Sequence, residues 1–178
     1  MKLRADAEAC YRVQDYSKRP GIEGVALVTL RRAHDETGSM TELARLRDGR
    51  VEGLEGFAVA QLNFSTLEPG AIKAFHVHRR QTDVWFVPPS DRILLVLVDV
   101  RAGSPTEGKR LRLTLGDGES RLVRIPPGVA HGCRNIGTGT ARILYLTDVH
   151  FSPEASETDE GRLSWDLFGA EVWEPVRD

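Results

Sequence analysis

The chain has 178 residues, 40% of them hydrophobic and 28% charged, with a formal net charge of −2. That length allows one well-buried core and is short for two, and the near-balanced charge excludes the broad basic surface of a nucleic-acid binder. No apolar run reaches signal-peptide or membrane-spanning length, and Cys10 and Cys133 form neither a CxxC motif nor a disulfide framework; a cytoplasmic protein is expected, with no nucleic acid and no membrane as partner.

In chain order, short apolar runs between turns rich in Gly, Pro, Asp and Ser predict strands over 25–32, 40–46, 57–65, 71–78, 84–87, 92–101, 110–115, 121–125 and 142–151. Helix signals are sparse. This rhythm belongs to an all-β sandwich or barrel, with residues 1–178 as a single domain and short terminal helical elements. Leu111, Leu113 and Leu115 alternate with Arg112 and Thr114 as in a half-buried strand, whereas the unbroken run 93–98 implies burial on both faces. Two-sided burial leads to the expectation of a second copy, a homodimer. Gly103-Ser104-Pro105 and Gly116-Asp117-Gly118 supply turns. The acidic run 154–160 reads as a solvated loop before a short terminal element around 165–168.

The chemistry concentrates in two segments, GAIKAFHVHRRQTD (70–83) and PPGVAHGCRN (126–135). On a strand, His76 and His78 project to the same side, about 6.6 Å apart. His131 follows a Pro-Pro-Gly turn, and Asp83 is spaced to return a carboxylate to the same pocket. Together His76, His78, Asp83 and His131 make a candidate site for a divalent metal such as zinc, manganese, iron or nickel. The spacings resemble the two motifs of the cupin superfamily: glycine, five residues, HxH, four residues and an acid, then PxGxxH with an Asn four residues on. The resemblance implies a cupin-type jelly roll. Ser90 stands where the first motif has glycine, and Asp83 where it has glutamate.

A wider resemblance, across residues 35–175, is to the dTDP-4-dehydrorhamnose 3,5-epimerase family. It rests on DETG followed by Glu42, then QLNFS, GAIKAFH, VDVRAGSPTEG, IPPGVAHG, LYLTDVHFSP, and EGRLSWD with Trp173, in this order and spacing. The resemblance implies a homodimeric enzyme that moves protons at carbons flanking the 4-keto group of a nucleotide-linked 6-deoxysugar and requires no cofactor. It implies His76 as general base and Tyr145 as proton donor. Glu42, Gln61, Asn63, Lys73, His131, Phe151 and Glu160 match substrate contacts, Phe151 standing for a tyrosine that stacks on thymine. On a strand reaching residue 151, Tyr145 and Phe151 share a face.

The departures from the family pattern concern charge. Thr37 replaces an arginine that helps hold the diphosphate, Lys73 replaces the arginine before the catalytic histidine, and Asp83 replaces the lysine that stabilises the enolate. The aspartate that orients the family's histidine has no equivalent at its usual place; either Asp178 or another carboxylate substitutes, or the dyad is absent. A divalent cation on His78 and Asp83 would supply the missing electrophile, but a metal on His76 would compete with its work as a base. The alternative readings are a ketoisomerase, a metal-dependent cupin enzyme (an oxygenase or lyase) acting on another small molecule, and a sugar-binding cupin without catalysis.

Overall fold

A computed structural model of the chain describes residues 1–13, 21–154 and 158–175. A short helix, α1 (Ala5–Cys10), precedes β1 (Ala26–Thr29) and two hairpins, β2 (Arg32–Asp35) with β3 (Gly38–Thr41) and β4 (Leu46–Arg47) with β5 (Arg50–Val51). There follow β6 (Gln61–Leu67), β7 (Ile72–Val77), β8 (Asp83–Phe86), β9 (Arg92–Asp99) and β10 (Arg110–Gly116). The last strands are β11 (Arg121–Ile125), β12 (Val129–Asn135), β13 (Ala141–Thr147) and β14 (Gly161–Arg162). Two antiparallel five-stranded sheets, ordered β1-β11-β8-β13-β6 and β10-β9-β12-β7-β14, stack into the expected jelly-roll sandwich. No helix among the described residues is long and apolar enough to cross a membrane.

Alternation along the strands builds three apolar layers. Ile93, Leu95 and Leu97 of β9 meet Leu111, Leu113, Leu115, Val123, Ile125 and Ile143 between the sheets. Their neighbours Leu94, Val96 and Val98 point the other way and are covered, with Phe75, by Val172 and Trp173. On the far side Val84, Phe86 and Leu122 are capped by Val51, Leu54 and Phe57. The run 93–98 is therefore buried on both faces as expected, but its outer cover is the chain's own C-terminal segment, so this burial is no argument for a second copy. That cover is a 3-10 turn at Ala170–Trp173, which follows a hydrogen-bonded turn over 165–168, where the short terminal element was expected.

Several strand boundaries differ from the sequence reading. The stretch 40–46 divides between the two polar hairpins. The strand expected from residue 57 starts at Gln61, because Phe57 is fully buried as a plug under the first sheet. β12 was not anticipated: it lies between β9 and β7 although it contains Gly132. A Cβ at Gly132 would run into Ala74 and Trp173, so the glycine serves close approach rather than a break. The string VDVRAGSPTEG is structural. Asp99 accepts hydrogen bonds from Arg101 Nε and Nη2 (both 2.8 Å), Ser104 Oγ and Thr106 Oγ1 (both 2.6 Å). Led by the Arg101 bond, these hold its carboxyl far below the usual range.

Candidate active site

A cavity of about 410 Å³, lined from both sheets, receives His76, His78, Asp83, His131, Tyr145 and Glu160. The pairing of strands explains why these residues meet. His131 on β12 lies opposite His76 on β7, and Arg162 on β14 flanks His76 from the other side. On the second sheet, Tyr145 on β13 lies between Trp85 on β8 and Asn63 on β6. His76 and Tyr145 thus enter one space from opposite sheets.

His76 Nδ1 is 2.6 Å from Glu160 Oε1, which is also 3.2 Å from Arg162 Nη2. Burial draws the imidazole pKa below its ordinary value, against the opposing pull of the Glu160 hydrogen bond. The Glu160 carboxyl is itself held low, first by its hydrogen bond to His76. Both directions describe a neutral imidazole donating Nδ1–H to a carboxylate, which leaves the Nε2 lone pair free to accept a proton. Burial, followed by the charges of Asp83 and Glu160, raises the Tyr145 hydroxyl, so it stays protonated and able to donate.

A second cluster adjoins this pair. His78, Asp83 and His131 are only 4%, 3% and 2% exposed, yet all three border the cavity. His131 Nε2 is 3.5 Å from Asp83 Oδ2, and His78 Nε2 is 3.9 Å from Asp83 Oδ1. Asp83 also accepts Trp85 Nε1–H at 3.0 Å and Gln81 Nε2–H at 2.7 Å. Burial pushes its carboxyl up, but the bonds and charges of His131, His78 and Trp85 prevail and hold it at about 2. Cys133 lines the same cavity as an inert thiol, pushed up to about 12 by burial.

The remaining expected contacts fall into three groups. Lys73 lines the cavity, its Nζ donating to Ser65 Oγ and the Thr66 carbonyl, each at 3.3 Å. Phe151 also lines it and is 62% exposed, but it stands beyond the end of β13, on a loop rather than on the extended strand expected through 151. Gln61 and Asn63 do not border the cavity. Gln61 Nε2 donates to Asn63 Oδ1 at 2.6 Å, and Gln61 Oε1 accepts the Phe151 backbone N–H at 2.9 Å, so the pair holds Phe151 in place. Glu42 is not brought to the cavity at all: it is exposed and bound to Arg45 at 2.9 Å. Thr37 is likewise exposed, donating to Asp35 in the first hairpin.

The acidic run is not a wholly solvated loop. Asp159 accepts the backbone N–H groups of Arg79 (3.1 Å), Arg80 (2.8 Å) and Gln81 (2.8 Å), and its carbonyl lies 2.7 Å from His78 Nδ1. Glu160, expected to touch substrate, is engaged by His76 and is the carboxylate beside that histidine; Asp178 lies outside the described residues. Sequence reasoning passed over Gln81, Trp85, Asp159 and Arg162. The only available signal was the period-2 spacing that puts Gln81, Asp83 and Trp85 on one side.

The chain matches known proteins over most of its length. The family model described as dTDP-4-dehydrorhamnose 3,5-epimerase matches residues 19–166. The spore coat polysaccharide biosynthesis protein SpsL of Bacillus subtilis is 36% identical over 145 residues, covering 82% of this chain and 91% of that protein. Among solved structures, a dTDP sugar isomerase from Desulfovibrio desulfuricans superposes with a TM-score of 0.71 at 29% identity, covering 87% of this chain and 91% of that one. The Legionella pneumophila dTDP-6-deoxy-D-glucose-3,5-epimerase, solved with dTDP-4-keto-L-rhamnose, gives a TM-score of 0.68 at 26% identity, covering 82% of this chain and 76% of that one.

Proposed function

The chain belongs to the dTDP-4-dehydrorhamnose 3,5-epimerase family, and from that premise we propose that it inverts carbon centres beside the ketone of a dTDP-linked 4-keto-6-deoxysugar, with His76 as base and Tyr145 as acid. Inversion needs a base on one face of the sugar ring and a proton donor on the other. The observation that carries the reading is the entry of His76 and Tyr145 from opposite sheets into one cavity, with His76 backed by Glu160. His76 takes the proton next to the ketone, the C–H electrons pass to the carbonyl oxygen as an enolate, and Tyr145 returns a proton to the opposite face. Nothing is oxidised or reduced overall, so the reaction requires no redox cofactor.

Phe151, exposed at the cavity, offers a ring to the thymine base. Lys73 and Arg162 are the cations lining the cavity and suit the diphosphate. A cytoplasmic homodimer is part of the same reading. β6 is an edge strand that carries Leu62 and Phe64, each 63% exposed, next to an unpaired ladder. Light scattering should therefore report twice the chain mass of 19.8 kDa, and a monomer would remove the dimer.

Proton chemistry is tested by incubating the protein with dTDP-4-keto-6-deoxyglucose in deuterated water. Deuterium should enter at C3, C5 or both. Tyr145→Phe should retain part of this exchange while product inversion falls about 100-fold or more, since it removes the acid and spares the base. Absence of wash-in by the wild type, with the fold intact, would reject this substrate.

A further inference from the structure

We propose that Gln81 determines specificity: its side-chain oxygen accepts a hydrogen bond from the C2 hydroxyl of the sugar, so that the cavity selects 2-hydroxy over 2-deoxy nucleotide sugars. The identity of the ligand rests on the epimerase reading; the contact rests on the hydrogen bonds of the cavity. Gln81 is half-buried in the cavity wall just before β8, and it lies outside the strings that carry the family resemblance.

The residue is held at both ends. Its backbone N–H donates to Asp159 Oδ2 at 2.8 Å. At the tip, the amide nitrogen lies 2.7 Å from Asp83 Oδ1. An ionised carboxylate only accepts, so this atom is Nε2 and the orientation of the amide is settled. The same nitrogen lies 3.4 Å from His78 Nε2. His78 Nδ1 is 2.7 Å from the Asp159 carbonyl and carries a proton, which makes Nε2 of the neutral ring an acceptor. Both amide hydrogens therefore have acceptors. Oε1 has no hydrogen-bond partner among the described residues and is not shut away, since the buried unpaired side-chain atoms there are Nε of Arg112 and of Arg124. It is an acceptor left open to the cavity.

An acceptor with no spare donor reads a hydroxyl and not the ketone oxygen or the diphosphate, which only accept. Neighbouring acceptors are occupied: Asp83 by Gln81 and Trp85, Glu160 Oε1 by His76 and Arg162, and Ser65 Oγ by Lys73. A 4-keto-6-deoxyglucose ring offers free hydroxyls at C2 and C3. Inversion at C3 carries its hydroxyl to the other face, whereas C2 does not react. A fixed acceptor can therefore keep the C2 hydroxyl through substrate, enolate and product. Because Asp159 and Asp83 pre-set the residue, little ordering is lost on binding. A bond made equally in every state is uniform binding, so it acts on KM and leaves kcat nearly unchanged.

The test compares ligands as well as variants, on the full chain. By calorimetry the wild type should bind dTDP-glucose about 3- to 10-fold more tightly than dTDP-2-deoxyglucose, the usual worth of a neutral hydrogen bond. It should bind dTDP-3-deoxyglucose as tightly as dTDP-glucose. Gln81→Met keeps the length of the side chain and removes the acceptor, so the preference for the 2-hydroxy ligand should vanish. Any loosening of Asp83 in that variant acts on both ligands alike and cancels in the ratio. Circular dichroism monitors folding, and the wild-type comparison stands without the variant. Deuterium wash-in into the 4-keto-6-deoxy sugar and its 2-deoxy analogue should show the same ratio in kcat/KM, with kcat little changed. The contact is overturned if the wild type binds neither glucose ligand or binds both equally, if it discriminates against the 3-deoxy sugar instead, or if folded Gln81→Met keeps the preference. The three glucose ligands carry no ketone. If the keto sugars exchange no deuterium while the binding preference is present, the epimerase reading fails and the contact stands.

Discussion

Replacing His76 by asparagine should lower deuterium wash-in by about 10²–10⁴-fold, the usual contribution of a positioned general base. The substitution keeps a polar planar side chain at Nδ1, so the Glu160 contact has a donor to replace it, and the defect should lie in the chemical step more than in binding. The pH dependence has a definite sign. The base works only when neutral, and burial sets its pKa below the ordinary 6.5. Activity should therefore persist as pH falls through 6.5 and decline only below it. Glu160 is what resists this lowering, so Glu160→Gln should move the acid limb to still lower pH and reduce the plateau, because a weaker base removes the proton more slowly. A limb moving to higher pH in that variant would refute the pairing. The measurement is kcat/KM against pH for both proteins.

Trp173→Ala is the largest stability change expected. The indole is fully buried, 5.0 Å from the Phe75 ring, and donates Nε1–H to the Trp165 carbonyl at 2.9 Å. Loss of a buried Trp costs about 3–5 kcal/mol, a large part of the roughly 5–15 kcal/mol holding a typical domain together. Urea unfolding should show a lower midpoint at unchanged slope. The effect should reach the cavity as well. Trp173 packs where a Cβ at Gly132 would sit, directly behind β7 and β12, the strands that carry His76 and His131. A variant with an unaltered midpoint would show that the C-terminal turn does not close the outer face of this sheet.

The legible parts of the fold were those where apolar pattern and strand coincide. Arg121–Ile125 was located to the residue, and the two-sided burial of Ile93 through Val98 was correctly inferred. β12 escaped because its strand character is tertiary: Gly132 and Asn135 are poor strand formers, and each is fixed by packing or hydrogen bonds to distant segments. The pairing of His76 and His78 on one side was visible in HxH, but the different partners that hold them were not. These are Glu160 and Asp159, about 80 residues later, on a strap whose two-residue strand leaves no periodic trace. Glu42 shows the opposite case. A matched position in a familiar string sits beside Arg45 on the exposed side of the hairpin region, because a motif fixes order along the chain and not the place of a side chain.

Asp159 gives the strap its mechanical meaning. Its carboxylate gathers three consecutive amides from the β7–β8 turn while its carbonyl steers His78, and the next residue backs His76. One joint therefore sets the aim of two histidines. Damage to that joint would look like a failure of chemistry, although the part that broke does not line the cavity.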